Sequence, residues 1–308
     1  MFLATECVVS FLTVVTNGLV LAAVVHNPAL RKPGNWFVVN LAVADLFVGV
    51  LTPPLVIISE TSVIKNFYLC ILNNSVIGAI VINSFTSLAC LVYDRFSLVR
   101  NAFHTSTTES VMAKLGLSWV VSLAFGMVPL MGWHNDRSEY RQCRYREVIP
   151  LEYNVYLQMF GFFIPFLLAM LIVHTLVFRE FRKSNRLMAY KSHETRRLVR
   201  YLTKREKRLF ESLVLIFILF TVCWLPHYIV TCIHLFCPET MVNFYMEFFF
   251  VTLTHTNSVV NPVVYALGQS EFRHALHKLF PFLFTADKYY QGTSSHMRQI
   301  PSCEECWI

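Results

Sequence analysis

The sequence predicts an all-α fold, a bundle of seven membrane-spanning helices followed by a short amphipathic helix on the membrane surface. Of its 308 residues, 55% are hydrophobic and only 15% are charged, whereas a soluble domain carries about 25% charged residues. Seven apolar segments account for the high hydrophobic content, and each is near or above the ~20 residues that span a bilayer. A transmembrane β-barrel would need shorter segments of alternating hydrophobicity, which the sequence lacks.

The predicted spans cover residues 5–25, 36–59, 67–99, 113–131, 151–179, 208–235 and 243–267. The first span has no basic flank or small-residue cleavage site, which favours an anchor over a removed signal peptide. Apolar residues at helical spacing opposite a basic face predict the surface helix at 270–281. We therefore expect one transmembrane domain over 1–281 and a disordered cytoplasmic tail over 282–308, where Cys303 and Cys306 are candidates for acylation.

The basic residues predict that the N-terminus is outside the cell and the C-terminus is in the cytoplasm. With this orientation, only five of the 26 Lys and Arg residues fall in outer loops: Lys65, Arg137, Arg141, Arg144 and Arg146. The inner side is most basic between Arg179 and Arg208, as the positive-inside rule requires. The net charge of +7 thus reflects the basic residues on the cytoplasmic side of the membrane. The expected partner is therefore membrane lipid and not nucleic acid.

Two cysteines are placed to form a disulfide bond outside the membrane. Cys70 begins the third span and Cys143 lies in the longest outer loop, so both face an oxidising compartment. We therefore expect a disulfide bond between Cys70 and Cys143. Cys232 and Cys237 also lie near the outer side, but neither has an obvious partner.

Asp45 lies in the middle of the second span, where a lone carboxylate costs about 2.5–3.5 kcal/mol on insertion scales. Its expected partners are Ser84 in the third span and Asn257 and Asn261 in the seventh, which share a helix face. Their oxygens suit a small hard cation, so we predict an allosteric Na⁺ site and no other cofactor. The alternative is a neutral Asp45 in a hydrogen-bonded network.

Asp94-Arg95-Phe96 ends the third span on its inner side, and Glu206 precedes the apolar part of the sixth. We expect Arg95 to pair with Asp94 or with Glu206. A pair across the bundle would hold two helices together until a ligand biases them apart. The alternative is an ordinary arginine that extends its side chain to the membrane interface.

Prolines are expected to kink the fourth to seventh spans, at Pro129, Pro165, Pro226 and Pro262. Trp224 lies just before the kink at Pro226. The seventh span also contains the polar run from His255 to Tyr265, which must face protein, water or an ion because hydrocarbon cannot satisfy it. Kinked helices around a polar core suggest a two-state element.

These motifs together resemble the rhodopsin-like (class A) family of G-protein-coupled receptors. The matching landmarks are Asn17, Asn40 to Asp45, Asp94-Arg95-Phe96, Trp119, Pro165, Cys223 to Pro226, and Asn261 to Tyr265. Phe96 stands where the family usually has Tyr. The resemblance implies a plasma-membrane receptor, not an enzyme, that binds a small extracellular ligand and activates a heterotrimeric G protein. Asp94, Arg95, Glu206 and Tyr265 would then form the switch on the cytoplasmic side.

Within that family, the chain resembles adenosine receptors most, over 42–51, 131–133, 148–156 and 255–262. In adenosine receptors a Glu in the first helix pairs with a His in the seventh, and this His and the hydroxyl before it contact ribose. Glu6, His255 and Thr254 match those positions. The resemblance therefore implies adenosine or a related nucleoside as the agonist.

The adenine end departs from the adenosine-receptor pattern. Thr231 replaces an Asn, and a hydroxyl cannot both donate and accept in a planar pair. Further departures are Tyr145 for a stacking Phe, Arg146 for the acid that follows it, Tyr228 for a His (with His227 before it), and Val81 for a hydroxyl near the ribose. The expected ligand contacts are Glu6, Tyr145, Trp224, Tyr228, Thr231, Thr254 and His255.

Three alternatives remain open. An adenosine-receptor-like receptor could bind a different small ligand. An ion-coupled transporter could use Asp45, although seven unrepeated spans fit that class poorly. An intramembrane enzyme could use Ser84, Asp45 and the buried histidines, but no nucleophile–base motif supports it.

Overall fold

The computed structural model describes residues 2–60, 64–100, 107–187, 193–240 and 242–279. Every regular element in this part of the chain is helical. The α-helices are α1 (Phe2–His26), α2 (Trp36–Glu60), α3 (Phe67–Arg100), α4 (Thr108–Gly126), α5 (Tyr145–Val148), α6 (Ile164–Leu187), α7 (His193–Phe236), α8 (Phe244–Gly268) and α9 (Ser270–Leu279). Short 3₁₀-helices cover Pro28–Leu30, Pro33–Asn35, Val128–Met131 and Arg137–Glu139, and a π-helix over Tyr153–Phe163 leads into α6. The predicted all-α architecture is confirmed.

The predicted spans correspond to α1 to α4, the π-helix with α6, α7 and α8. Five helical stretches in the described part are long and apolar enough to cross a membrane by length and composition. Neighbours in the chain pack side by side, α1 on α2, α2 on α3, α3 on α4 and α7 on α8, and α8 also closes against α1. The last 29 residues, with Cys303 and Cys306, lie outside the described residues.

One of the four predicted proline kinks is placed differently. α4 ends at Gly126, so Pro129 lies in the 3₁₀-helix Val128–Met131 instead of within a spanning helix. Pro129 is tolerated there because the first N–H groups of a helix have no partner in any case. Pro226 and Pro262 do lie inside α7 and α8.

An 11-residue π-helix, Tyr153–Phe163, precedes Pro165 in the fifth span. Pro165 has no N–H, so one carbonyl of the preceding turn lacks its α-type donor, and the segment before it uses wider i→i+5 bonds. Segments of this kind are usually single turns and occur often at functional sites. This one brings Asn154 and Gln158 to the wall of the main cavity.

The centre of the bundle is aromatic. The ring of Phe85 on α3 lies edge-on to Phe220, with centroids 4.6 Å apart, and edge-on to Trp224, at 4.8 Å. Phe163 on the π-helix contacts Tyr228 at 4.6 Å. These ring contacts join α3 and the fifth span to α7 near Pro226. Phe85, Trp224 and Tyr228 also line the inner end of the main cavity.

The longest outer loop is fixed to the top of α3. Cys70 and Cys143 form the predicted disulfide bond, with their Cα atoms 5.6 Å apart. Phe67 packs edge-on against His134 and Tyr140, and the Tyr140 hydroxyl donates a 2.8 Å hydrogen bond to the Ile64 carbonyl. The loop therefore holds α5 over the mouth of the bundle. Cys232 and Cys237 are free.

Candidate functional site

A cavity of about 380 Å³ opens between the outer halves of α3, the π-helix, α7 and α8, with α5 at its mouth. Small-molecule sites in proteins have volumes of about 300–1,000 Å³, so this cavity suits a ligand of nucleoside size. It is lined by six of the seven residues that the sequence predicts to contact the ligand: Tyr145, Trp224, Tyr228, Thr231, Thr254 and His255. The seventh, Glu6, is fully buried behind His255.

Glu6 fixes the orientation of His255. The His255 Nδ1 atom lies 2.7 Å from one Glu6 carboxylate oxygen, and Thr252 donates a 2.6 Å hydrogen bond to the other. With Nδ1 held in this way, Nε2 is the nitrogen left to meet a ligand in the cavity. The pair joins α1 to α8 across 249 residues of sequence.

Tyr145 forms part of the cavity wall from α5. Its hydroxyl donates a 2.6 Å hydrogen bond to the Asn154 Oδ1 atom, which holds the ring against the start of the π-helix. Burial at the cavity wall raises the pKa of Tyr145 above its ordinary value, so the hydroxyl stays protonated and remains a donor. The residue as a whole is 42% exposed, so part of its aromatic surface faces the cavity and can stack on a flat ligand.

A charged cluster lies at the cavity mouth. Glu247, near the start of α8, accepts a 2.7 Å hydrogen bond from the Arg146 guanidinium and also contacts His234 near the end of α7. One carboxylate therefore joins the outer loop to two helices. Arg146 and Glu247 both line the cavity, so this cluster forms part of the wall at its mouth. The sequence does not predict this pairing, because nothing in the spacing relates residues 101 apart.

The α7 wall of the cavity carries His227, Tyr228 and Thr231. The Thr231 hydroxyl donates a 2.9 Å hydrogen bond to the His227 carbonyl, one turn earlier. Trp224 lies at the lower end of this wall, and its buried Nε1 has no hydrogen-bond partner among the described residues. Trp224 is therefore in contact with both the cavity and the aromatic centre at Phe85.

Asp45 is fully buried and accepts three hydrogen bonds. Ser84 and Ser258 each donate to Oδ1 at 2.9 Å, and Asn261 donates to Oδ2 at 2.9 Å. The structure thus brings Asp45 together with two of the three predicted partners. The third, Asn257, makes no hydrogen bond to Asp45, and Ser258, which the prediction missed, takes its place.

A second cavity of about 10 Å³ adjoins this network and is lined by Ser84, Asn257 and Ser258 as well as Trp224. That volume is about what one water molecule needs. Carboxylate, hydroxyl and amide oxygens are the ligands that a small hard cation prefers, so the donor set fits the predicted Na⁺. A bound ion would have to replace some of the hydrogen bonds that Asp45 now accepts.

Landmark residues in the other spans form interhelical hydrogen bonds. Asn17 donates a 3.0 Å hydrogen bond to the Ser258 carbonyl. This bond links α1 to the segment of α8 whose side chains donate hydrogen bonds to Asp45 on α2. The Trp119 indole donates to Asn40 Oδ1 at 3.0 Å, and Asn40 in turn donates to Ser87 at 2.6 Å. The polar landmarks therefore satisfy one another between helices.

Asp94 and Arg95 lie at the inner end of α3, and Asp94 is fully buried. They approach the 3₁₀-helix Pro33–Asn35 so closely that a methyl group on Gly34 would lie 2.9 Å from Asp94 Oδ2 and 3.2 Å from an Arg95 guanidinium nitrogen. The side chains of Glu206 and Tyr265, the other predicted switch residues, lie outside the described part. The predicted pairing of Arg95 with Glu206 thus stays a prediction.

Comparison with known proteins identifies the family. Residues 16–265 match the model of the 7 transmembrane receptor (rhodopsin family). The chain belongs to this family. The fold agrees with the crystal structure of squid rhodopsin, with a TM-score of 0.81 at 17% identity over 98% of this chain and 91% of the other.

Relatives of this receptor include three types of adenosine receptor. Adenosine receptor A2a of Canis lupus familiaris is 32% identical over 297 residues, which are 90% of this chain and 71% of the relative. Adenosine receptor A2b of Mus musculus is 30% identical, with 91% and 89% covered, and adenosine receptor A3 of Ovis aries is 31% identical, with 88% and 87% covered. The receptor is therefore a multi-pass plasma-membrane protein and not an enzyme, and its family implies a small-molecule ligand and a G protein as partners.

Proposed function

We propose that this receptor binds adenosine or a related nucleoside in the outer cavity and activates a heterotrimeric G protein. The observation that carries the proposal is the contact between Glu6 and His255, which places one imidazole nitrogen at the cavity surface. A fully buried carboxylate is costly unless it is paired, so its presence in α1 is explained by the imidazole that it positions. Thr254 lies beside His255 in the cavity wall, where its hydroxyl donates a 2.7 Å hydrogen bond to the Val251 carbonyl and can accept one from the same end of the ligand.

The remaining walls of the cavity suit a flat base at its other end. Tyr145 offers an aromatic face, and its ring is held in place by the hydrogen bond to Asn154. Apolar side chains such as Val81, Phe85 and Val251 line much of the remaining surface. A ribose at His255 and a base near Tyr145 would fill the cavity along its length.

Signalling would pass from the cavity through Trp224 to the Asp45 network and then to the inner ends of the helices. A ligand can shift this equilibrium only through contacts that differ between the two states. Na⁺ held by Asp45, Ser84, Ser258 and Asn261 would favour the state in which these oxygens are close together. The basic inner ends of α6 and α7 would then contact the G protein.

The proposal is tested by expressing the receptor in cells with an extracellular N-terminal tag and screening a nucleoside panel in G-protein and cAMP assays. We expect a concentration-dependent response to at least one nucleoside, and a weaker response in His255→Ala at matched surface expression. Surface expression without any nucleoside-dependent signal would refute the ligand assignment. A tag accessible only in permeabilised cells would refute the orientation.

A receptor for a different small ligand is the second candidate, because Arg146 and Thr231 depart from the adenosine-receptor pattern at the base end of the cavity. The same screen separates the two candidates if it also includes non-nucleoside metabolites of similar size. Uptake of labelled nucleoside into vesicles tests the transporter alternative, for which we expect no accumulation.

A further inference from the structure

Gly78 leaves a gap in the wall of the outer cavity. It lies within α3 and lines the cavity, although glycine weakens a helix because its backbone is the least restrained. Packing does not require it: among the described residues, a methyl group on Gly78 would contact only the Gln158 Nε2 atom, at an ordinary distance of 3.8 Å. At Gly126, by contrast, a methyl group would lie 2.6 Å from the α3 backbone. The missing side chain at position 78 therefore enlarges the cavity between α3 and the fifth span.

Gln158 borders this gap with a carbonyl oxygen. Its Nε2 atom donates a 3.2 Å hydrogen bond to the Tyr153 hydroxyl, which itself donates to the Phe125 carbonyl at 2.8 Å. Because the hydroxyl proton is already used, the hydroxyl can only accept from Gln158, and this determines which end of the amide is the nitrogen. The Gln158 Oε1 atom accepts no hydrogen bond within the described part of the chain, and it is not enclosed by protein. Since Gln158 lines the cavity, this acceptor is open to a ligand.

Asn74 supplies a second acceptor one turn further out. It lies four residues before Gly78, so the two share one face of α3, and it also lines the cavity. Its Nδ2 atom donates to the Cys70 carbonyl at 2.9 Å and contacts the Cys70 sulfur at 3.6 Å. The amide nitrogen is thus occupied, whereas the Oδ1 atom accepts no hydrogen bond from any described residue and is not enclosed. Two amide oxygens therefore flank the gap at Gly78.

We propose that Asn74, Gly78 and Gln158 form a subsite for a hydrogen-bond donor of the ligand, an amine or a hydroxyl group that Gly78 leaves room to enter. Each amide oxygen has two lone pairs, which such a donor satisfies. A carboxylate, phosphate or sulfonate has no proton to give and would meet these oxygens as a further acceptor, so it is selected against. The inference rests on the proposed function only in taking the outer cavity as the ligand site. It adds a chemical preference on the α3 side of that cavity.

The chemistry of the subsite is tested with a cysteine at its centre. The thiol of Gly78→Cys is modified in intact cells with 2-aminoethyl methanethiosulfonate, which attaches an ammonium group, or with 2-sulfonatoethyl methanethiosulfonate, which attaches a sulfonate. In both reactions the thiolate attacks the sulfenyl sulfur, a mixed disulfide forms and methanesulfinate leaves. The ratio of the two rates is divided by the same ratio for 2-mercaptoethanol, and the unmodified receptor gives the background from its native cysteines. We expect a normalised ratio of about ten or more, the effect of one hydrogen bond from a charged donor.

Further changes in the Gly78→Cys receptor identify the oxygens. Gln158→Leu and Asn74→Leu should each lower the normalised ratio by about threefold or more, whereas Gln158→Glu keeps an oxygen, adds a negative charge and should raise it. Asn73→Leu is the matched control. It also removes an amide from the cavity wall, but position 73 lies on another face of α3 from Gly78, so the ratio should not change. Acids elsewhere in the cavity, such as Glu247, act on all these variants alike.

A normalised ratio near one in Gly78→Cys would overturn the inference, and so would an equal fall in Asn73→Leu and Asn74→Leu. If Gly78→Cys does not reach the cell surface, Val81→Cys carries the same reagents from three residues deeper on the same face, and the same comparisons decide. The labelling needs no agonist, so the inference and the proposed function fail separately. A receptor that responds to adenosine but shows a ratio near one keeps the function and loses the subsite. A high ratio in a receptor that no nucleoside activates supports the subsite and refutes the nucleoside assignment.

Discussion

Gly268 at the end of α8 lies against Ser212 on α7 so closely that no side chain fits between them. A methyl group on Gly268 would clash with the Ser212 Oγ atom and would lie 2.7 Å from its Cβ atom. Rotation of the hydroxyl would relieve the first clash but not the second. The inner part of α7 can therefore approach the junction of α8 and α9 only because residue 268 is a glycine.

Replacement of Gly268 by Ala should raise the signal of the receptor in the absence of agonist. Overpacking of this kind costs about 1–3 kcal/mol, and α7 can avoid the cost by moving outward at its inner end. A bias of 1 kcal/mol would raise a small active population about fivefold. The measurement is agonist-free G-protein activation per receptor at the cell surface.

The matched control for this change is the double variant Gly268→Ala with Ser212→Gly. Removing the Ser212 side chain reopens the space, so basal signalling should return toward that of the unmodified receptor. High basal activity that persists in the double variant would show that the clash with Ser212 is not its cause.

Replacement of Glu6 by Gln should weaken agonist potency by about tenfold while surface expression changes less. Glu6 accepts hydrogen bonds from both His255 and Thr252. A Gln side chain keeps one acceptor oxygen and replaces the other with an NH₂ donor, so one of these two contacts is lost or must reverse its direction, and the imidazole is no longer held by a charge. Concentration–response curves and a surface-tag assay on the same cells provide the measurement.

Thr252→Val is the control for Glu6, because it removes the hydroxyl and leaves the contact between the carboxylate and His255. We expect a smaller loss of potency in this variant. If expression and potency fall in parallel in Glu6→Gln, the buried carboxylate serves folding rather than ligand binding.

Replacement of Asp45 by Asn should abolish the effect of Na⁺ on agonist affinity. The change removes the negative charge that a cation needs, but it keeps an oxygen that can accept from Ser84 and Ser258. Agonist binding is measured with increasing NaCl, with choline chloride at the same ionic strength as the reference. Ser258→Ala keeps the charge and should reduce the Na⁺ effect only in part. A sodium effect that survives in Asp45→Asn would place the ion elsewhere.

The bundle and most of its polar centre could be predicted from the sequence, because hydrophobic length and lone polar residues in apolar spans are local signals. The sequence could not predict that Ser258, rather than Asn257, donates a hydrogen bond to Asp45. On a helix both share a face with Asn261, one four and the other three residues away, and only the tilt and rotation of α8 bring Ser258 to Asp45. Sequence spacing does not determine that rotation.

The outer loop was less predictable for a different reason. Its residues follow no helical period, so the path that carries Arg146 to Glu247 depends on the disulfide bond and on the packing of Phe67. The π-helix was also missed, since the sequence marks Pro165 but not how far the altered hydrogen bonding extends before it. Both features determine the shape of the cavity mouth, where the ligand preference of this receptor departs from its relatives.

The ion pair between Arg146 and Glu247 should slow the release of a bound agonist. It joins α5 of the outer loop to α8 across the cavity mouth, so it must open before a ligand that fills the cavity can leave. The Arg146 side chain is 55% exposed and Glu247 is 20% exposed, and a pair of this kind contributes about 0.2–1 kcal/mol. Glu247→Gln should therefore speed dissociation by up to about fivefold.

Dissociation of a labelled agonist is followed at low and physiological salt. Salt screens an exposed ion pair, so it should narrow the difference in dissociation rate between Glu247→Gln and the unmodified receptor. His234→Gln keeps the pair with Arg146 and tests the second contact of Glu247 separately. Exchange of the charges, in Arg146→Glu with Glu247→Arg, should restore slow release because the attraction is the same in either direction. If release from Glu247→Gln is as slow as from the unmodified receptor at both salt concentrations, the pair lies beside the exit path and does not close it.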